Sequence, residues 1–372
     1  MRAALKQMRG QIGPKRRKGL PMKKFTCTSC GNRVHFENSQ CLACEHPLGL
    51  LPGALAMVAL ECTDGTPHYD HADPSGETRT FVYCANRAHG VCNWLVSATE
   101  ATGLCIGCSL NRTIPNLAEA GSLQAWRQLD AAKKRLLYSL LRFGLSLGDA
   151  AAPGGRLTFD FLRNTMTGHL NGVITIDIRE AYSPERERQR ELFQEPYRTL
   201  LGHMRHESGH FYWPKIVEGR GQLEPFRALF GDERQDYAQA LGHHHGSGPP
   251  ADWARLHISA YASSHPWEDW AETWAHYLHM VAVVDAAEAE GLDPRAAGLN
   301  QGTPWPFALY DAYRDSTFDE LFGRWVPLTI AMNGLTRAMG HSDFYPFVIG
   351  DVARSKLAFV HDAIRSAADD II

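Results

Sequence analysis

The chain has 372 residues, of which 44% are hydrophobic, and its formal net charge at pH 7 is -3. This length accommodates a catalytic domain together with a smaller one, because single hydrophobic cores rarely grow beyond about 250–300 residues. No run of about eighteen apolar residues occurs, so no membrane span is predicted. The balanced charge predicts no general attraction to nucleic acid or to anionic lipid.

Residues 1–24 form a basic leader that contains Lys15-Arg16-Arg17-Lys18 and lacks the apolar segment of a secretory signal. We expect this leader to be disordered; translation from Met22 and a nucleic-acid-binding tail are the alternatives. All nine cysteines lie between residues 27 and 108. Without a secretory signal, this clustering favours metal binding in a reducing cytoplasm over disulfide bonding.

Residues 25–112 are predicted to form a zinc-ribbon module with two structural zinc sites, since pairs of cysteines two residues apart offer thiolates to one tetrahedral ion. The ligands of the first site are Cys27, Cys30, Cys41 and Cys44. Those of the second site are Cys84, Cys92, Cys105 and Cys108. Cys62 is left over, either as a small buried side chain or as a substitute for Cys84. Four thiolates leave no coordination position for water, so both sites are expected to stabilise the fold.

Residues 113–150 are predicted to link this module to the rest of the chain through one amphipathic helix, Leu123–Phe143. Residues 151–372 then form the second domain, which begins with strands over Leu157–Phe161 and Val173–Ile178. The sequence that follows is mainly helical. Its predicted helices cover 191–213, 224–242, 251–262, 266–288, 308–338 and 350–367. Pro214 must end or kink the first of them.

The helix predicted over 191–213 contains the motif His206-Glu207-Ser208-Gly209-His210. Histidines four residues apart lie on one face of a helix, one turn apart, where both can bind one Zn²⁺. Glu207 lies beside them and is the candidate general base for a water that the zinc activates. The alternative is a chance match, against which a third ligand would argue.

A catalytic zinc needs a third protein ligand, and two carboxylates follow about sixty residues downstream. Glu268 and Glu272 lie four residues apart on a predicted tryptophan-rich helix, where burying both without partners would be costly. We assign Glu268 as the zinc ligand and Glu272 as the hydrogen-bond partner of a ligand histidine; the reverse assignment stays open. Further candidate ligands are His265, Asp269, His276 and His279.

An HExxH motif followed by a glutamate on a second helix resembles the gluzincin metallopeptidases, and Glu-x-x-Ala-Glu at 268–272 is similar to their anthrax lethal factor-like branch. From Met22 onward the chain resembles a bacterial family of zinc-binding metallopeptidases with an N-terminal zinc ribbon. The resemblance implies that Glu268 binds zinc and that Tyr261 stabilises the charge on the scissile carbonyl oxygen. A core tyrosine is the alternative. The resemblance also implies that the strand Val173–Ile178 pairs with extended substrate. The alternative is that this strand is an ordinary interior strand.

The sequence as a whole predicts an α+β protein with a double zinc-ribbon module followed by a mainly helical, zincin-like domain with a small β-sheet. The predicted function is zinc-dependent hydrolysis of peptide bonds in the cytoplasm, with about three zinc ions per chain. The expected partners are a peptide or protein substrate and a protein that contacts the ribbon, whose few basic residues argue against nucleic acid. The alternatives are an adaptor with a non-catalytic domain, against which the intact Glu207 argues, and a hydrolase of non-peptide amides.

Overall fold

The structure is a computed structural model that describes residues 25–369 except 64, 73–75, 150, 152–153, 193–194, 293–310 and 315. The leader 1–24 lies outside the described residues, and so do the expectations about its disorder and about a start at Met22. The predicted class is confirmed, since cysteine clusters and small sheets precede and accompany a mainly helical part. Within the described residues, no helix is long and apolar enough to cross a membrane.

Short strands of the described residues form three sheets. The strands are β1 (Leu48–Leu51), β2 (Ala56–Ala59), β3 (Glu61–Thr63), β4 (Thr66–Ala72), β5 (Thr78–Tyr83), β6 (Leu95–Ser97), β7 (Asn111–Thr113), β8 (Thr158–Leu162), β9 (Gly168–Leu170) and β10 (Val173–Asp177). β1 pairs with β2, and β3 to β6 form an antiparallel meander. The third sheet has the order β7-β8-β10-β9, with β9 antiparallel to β10 and the other pairs parallel.

Helices make up most of the remaining described chain. They are α1 (Ser122–Arg142), α2 (Ser183–Leu192), α3 (Leu200–Trp213), α4 (Leu223–Phe230), α5 (Tyr237–Ser247), α6 (Trp253–Leu256), α7 (Pro266–Glu290), α8 (Phe318–Ala338) and α9 (Asp351–Asp369). The helix predicted over Leu123–Phe143 corresponds to α1. The helices predicted over 266–288 and 350–367 correspond to α7 and α9.

Helix α1 joins the N-terminal module to the rest of the chain through a shared core. Leu129, Leu136 and Leu140 of α1 are fully buried, and they belong to the same apolar cluster as Trp94 of the module. Burying a leucine side chain contributes about 1.5–3 kcal/mol. The module is therefore held by packing against α1.

The helix predicted over 191–213 is wrong in its N-terminal part, because α2 ends at Leu192 and α3 begins only at Leu200. Pro196 lies between them, and proline lacks a backbone N–H and disfavours helical geometry in the residue before it. Thr199 then caps α3, since its hydroxyl accepts a hydrogen bond from the backbone N–H of Gly202 at 2.9 Å. The expectation for Pro214 is confirmed, because α3 ends one residue before it.

The helix predicted over 224–242 is divided into α4 and α5. Gly231 follows α4 with a φ of 100°, a conformation that favours glycine and ends the helix. The side chain of Asp236 then accepts a hydrogen bond from the backbone N–H of Gln239 at 2.9 Å and so begins α5. Periodicity alone could not show this interruption.

Two other predicted helices are shorter than expected. The segment 251–262 contains only α6 and the start of a 3₁₀ turn, Tyr261–Ser264. In the described part of 308–338, α8 begins at Phe318, where Thr317 and Glu320 form a capping box. The capping box therefore fixes the start of α8.

Helices α3 and α7 approach each other closely at the centre of the second domain. A Cβ atom on Gly209 would lie 3.0 Å from Cα of Ala271 and 3.2 Å from Cβ of Trp274, so this approach requires glycine. The indole N–H of Trp270 donates to the carbonyl of Gly209 at 2.9 Å, and that of Trp274 donates to the hydroxyl of Ser208 at 3.0 Å. These contacts fix the HExxH segment against α7.

Strand β10 lies inside the mixed sheet, between β8 and β9. The expectation that Val173–Ile178 pairs with substrate is therefore wrong, because both of its backbone edges are already used by neighbouring strands. Ile174 and Ile176 are fully buried, as expected of an interior strand. The edge strand on this side of the sheet is β9, which contacts α3.

Candidate active site and metal centres

Three groups of metal-binding side chains converge among the described residues. They are Cys27, Cys30, Cys41 and Cys44; Cys84, Cys92, Cys105 and Cys108; and His206, His210 and Glu268. Within each group, one ligand atom from every member lies within 4.8 Å of the others. Cys62 lies outside these groups, is exposed, and does not replace Cys84.

The first cysteine group has the dimensions of a tetrahedral zinc site. The sulfurs of Cys27 and Cys44 are 3.6 Å apart, and so are those of Cys30 and Cys41. Zinc–sulfur bonds of about 2.3 Å place the sulfurs of a tetrahedron about 3.8 Å apart, so the group fits the ion. A hydrogen bond from the backbone N–H of His46 lowers the pKa of Cys44 to about 6, which favours the thiolate that binds zinc.

The second cysteine group is fully buried. The sulfurs of Cys92 and Cys105 are 3.6 Å apart, which again fits a tetrahedral zinc site. Backbone N–H groups point at the sulfurs: Trp94 donates to Cys92, and Cys105 donates to Cys84, both at 3.4 Å. The irregular seven-residue spacing after Cys84 is taken up by a 3₁₀ helix.

A buried lysine lies beside the second group. Four thiolates around Zn²⁺ carry a net charge of about -2, which is costly to bury without compensation. Lys134 of α1 is 3% exposed, its ammonium group donates to the carbonyl of Val91 at 2.5 Å, and it pairs with Asp130. Burial alone lowers the pKa of Lys134, but Asp130, Cys92 and Cys108 raise it above its ordinary value. The lysine is therefore charged and offsets the negative thiolates.

The third group joins α3 to α7. Nε2 of His206 is 2.9 Å from Oε2 of Glu268, and Nε2 of His210 is 3.5 Å from Oε1 of Glu268. Zinc–nitrogen and zinc–oxygen bonds of about 2.0–2.2 Å place ligand atoms about 3.3–3.5 Å apart on a tetrahedron. The donor set of two imidazoles and one carboxylate fits zinc and leaves one corner of the tetrahedron without a protein ligand.

Glu272 contacts the other nitrogen of His206. Nδ1–H of His206 donates to Oε1 of Glu272 at 2.7 Å, so Nε2 faces Glu268. The hydroxyl of Ser259 donates to Oε2 of Glu272 at 2.6 Å. Burial by itself raises the pKa of Glu272, but the hydrogen bond from His206 lowers it to about 2. Sequence reasoning proposed Glu272 for this position and assigned no role to Ser259.

Glu207 and Tyr261 both lie at this group. Glu207 is 9% exposed, and within the described residues its carboxylate makes no hydrogen bond or ion pair. The ring of Tyr261 lies 5.9 Å from that of His206, measured between centroids. Burial and the charge of Glu268 raise the pKa of Tyr261, so its phenol keeps its proton at neutral pH.

A second phenol, Tyr237 of α5, was missed by sequence reasoning. Its hydroxyl donates to Oε1 of Glu268 at 2.7 Å. Burial and the charge of Glu268 raise the pKa of Tyr237, so the hydroxyl stays a donor. Tyr237 precedes Glu268 by 31 positions on a different helix, and no spacing rule connects the two.

The other candidate ligands lie outside the third group and have different partners. Their contacts are His265 with the backbone N–H of Trp267, Asp269 with Lys356, His276 with Tyr345, and His279 with Arg205. Each contact lies within 3.1 Å, so these side chains support the packing of α7.

The fold and these three groups define a zinc-ribbon protein with a second, mainly helical metal-binding domain. A zinc-ribbon domain profile matches residues 24–119, and the profile described as "Putative zinc-binding metallo-peptidase" matches residues 122–363. The second match covers more than half of the chain, which therefore belongs to the family that this profile describes.

Similar proteins occur in mycobacteria. An uncharacterized protein of Mycobacterium bovis and uncharacterized proteins of two strains of Mycobacterium tuberculosis are each 38% identical to this chain over 355 residues. The similarity covers 94% of this chain and 97% of each relative, so it includes both domains. No solved structure matches the chain.

Proposed function

We propose that the chain is a zinc-dependent peptidase of the gluzincin type, with His206, His210 and Glu268 as the ligands of one catalytic zinc ion. The observation that carries this proposal is the convergence of these three donors from α3 and α7 within 4.8 Å of one another. Glu207 follows His206 directly in the chain, and its carboxylate has no hydrogen-bond partner among the described residues. Membership of a family described as metallopeptidases supports the same conclusion.

The side chains around the ligands have separate tasks in this proposal. Zinc bound there supplies Lewis acidity, which lowers the pKa of a water and polarises a carbonyl group. Glu207 takes the proton of the attacking water and delivers it to the leaving amine. Tyr261 donates to the negative charge that develops on the carbonyl oxygen. Glu272 keeps Nε2 of His206 free of a proton, and Tyr237 holds the carboxylate of Glu268.

The substrate of the proposed reaction is a peptide or protein that binds in an extended form along β9. This strand pairs with β10 on one side, and within the described residues it has no strand on the other. His169 of β9 has its ring 6.4 Å from that of His210, so a chain added to this edge would pass the zinc ligands. Main-chain pairing to an exposed strand is a general way of binding extended peptides.

Zinc content tests the ligand assignment. The wild-type protein should contain about three zinc ions per chain, and His210→Ala should contain about two. His243→Ala is a matched control, because His243 is exposed on α5 and belongs to none of the three groups. Two ions in the wild type, unchanged in His210→Ala, would refute the catalytic site.

Glu207→Gln tests the reaction. This variant should keep all three zinc ions, since Glu207 is not a ligand, and should lose hydrolysis. Peptide termini are compared by proteomics in cells that carry the wild type or the variant. New termini that depend on Glu207 support a peptidase. Identical termini with full zinc content would favour the adaptor or the hydrolase of non-peptide amides.

A further inference from the structure

A cavity of about 280 Å³ lies between the zinc-ribbon module and the second domain. The module supplies Phe25 and Phe36 to its wall, α1 supplies Tyr138, and α3 supplies Leu201 and Arg205. Leu201 and Arg205 are four residues apart and share one face of α3. None of His206, Glu207 and His210 lines this cavity, so it is separate from the proposed active site.

Two ion pairs at the cavity are already complete. Arg33 pairs with Glu290 and Arg135 pairs with Glu37, and these four side chains are 43–55% exposed. They therefore lie at the solvent end of the cavity. At the inner end, Asp285 pairs with the buried Arg142. Arg142 also pairs with Asp311, so each of these charged side chains has a partner of opposite charge.

Arg205 is the exception. It lines the cavity and is 3% exposed, and its Nε has no hydrogen-bond partner among the described residues. Its Nη1 is 2.5 Å from Nδ1 of His279. Burial and the charge of Arg205 lower the pKa of His279 well below its ordinary value. This neutral imidazole accepts a hydrogen bond and supplies no negative charge. The guanidinium of Arg205 carries a positive charge, since arginine stays protonated in proteins.

A buried cation without an anion is costly, and that cost disappears when a ligand supplies the missing charge. The planar guanidinium matches the two oxygens of a carboxylate, each of which can accept one N–H. One guanidinium without an ion-pair partner matches one carboxylate group. The wall beside it is aromatic, with the rings of Phe36 and Tyr138 in edge contact at 5.2 Å between centroids, which suits an apolar ligand body.

We propose that this cavity binds a small organic carboxylate, with its carboxylate on Arg205 and its apolar part against Phe36 and Tyr138. The site lies where the ribbon module meets α3, so an occupant contacts both domains. Because α3 also carries His206, Glu207 and His210, binding here would tie the ribbon to the helix of the proposed active site. The binding itself needs no peptidase activity, and its test stands apart from that of the proposed function.

Calorimetric titration of the full-length, zinc-loaded protein tests this assignment. The probes are phenylacetate, the neutral isostere phenylacetamide, and inorganic phosphate, all at up to millimolar concentration. We expect phenylacetate to bind in a 1:1 ratio and phenylacetamide to bind at least about tenfold more weakly, since it lacks the charge. Equal binding of the amide, or binding of inorganic phosphate alone, would overturn the assignment to a carboxylate.

Variants locate the binding. Arg205→Gln should weaken phenylacetate binding about 10- to 100-fold, as expected when a two-pronged hydrogen bond to a charged group is lost. Arg135→Gln, at the exposed end, should change it by no more than about threefold. Arg205→Lys keeps the positive charge but cannot donate two parallel hydrogen bonds, so it should weaken binding too. This variant provides a second test if Arg205→Gln does not fold. Unchanged affinity in either Arg205 variant, or no binding to the wild type, would refute the site.

Discussion

Replacing Gly209 by alanine should separate the two helices that carry the proposed zinc ligands. The added Cβ would lie 3.0 Å from Cα of Ala271, whereas carbon atoms ordinarily pack about 3.5–4.0 Å apart. Backbone atoms cannot rotate away, so α3 and α7 must move apart by several tenths of an ångström. Overpacking of this kind costs about 1–3 kcal/mol. Alanine regains about 1 kcal/mol of helix propensity, which leaves a net loss of about 0–2 kcal/mol.

Gly242→Ala is the matched control for this substitution. Gly242 lies in α5, and an added Cβ there would meet no atom within 4 Å. The control should therefore gain about 1 kcal/mol from helix propensity alone. Urea unfolding followed by circular dichroism measures both variants, and their difference gives the steric cost of about 1–3 kcal/mol. Gly209→Ala should also bind the third zinc more weakly than Gly242→Ala. Equal stabilisation by the two variants would refute the argument that α3 and α7 touch at this glycine.

Three further predictions concern the metal groups and pH. Glu272→Gln should weaken the third zinc about 10- to 100-fold in chelator competition, because the partner that orients His206 is weakened; unchanged affinity would contradict that role. Cys41→Ser should lower the zinc content by one ion and lower the melting temperature, whereas Cys62→Ser, at an exposed cysteine outside the groups, should change neither. Burial lowers the pKa of His361 from 6.5 to about 4 in the folded protein. The unfolded chain therefore binds a proton at His361 at higher pH than the folded protein does, and the free energy of unfolding should fall as pH drops from 6.5 to 4. His361→Gln should lose less stability over that window in pH-dependent unfolding, and an identical loss would contradict the reasoning.

The sequence pattern predicted some helix ends correctly and others not. Apolar periodicity predicted α1 and α7 closely, since both are long and present a continuous apolar face. It merged α4 with α5 because the interruption depends on a glycine with a positive φ and on one aspartate cap. The family resemblance placed the substrate strand at β10, although sheet order is a property of the folded chain and puts β9 at the edge.

The sequence by itself indicated the paired cysteines and the HExxH histidines, because ligand spacing within a turn or a helix is local. Glu268, 62 positions after His206, was indicated by the cost of burying it and by the family resemblance. Cysteines two residues apart and histidines one helical turn apart meet whatever the rest of the fold does. Only the tertiary structure decided what surrounds them. The packing of separate helices decides whether Glu268 or Glu272 faces Nε2 of His206. It also brings Tyr237 to Glu268 and leaves Arg205 without an anionic partner among the described residues. Such contacts join residues far apart in the chain, and no local spacing encodes them.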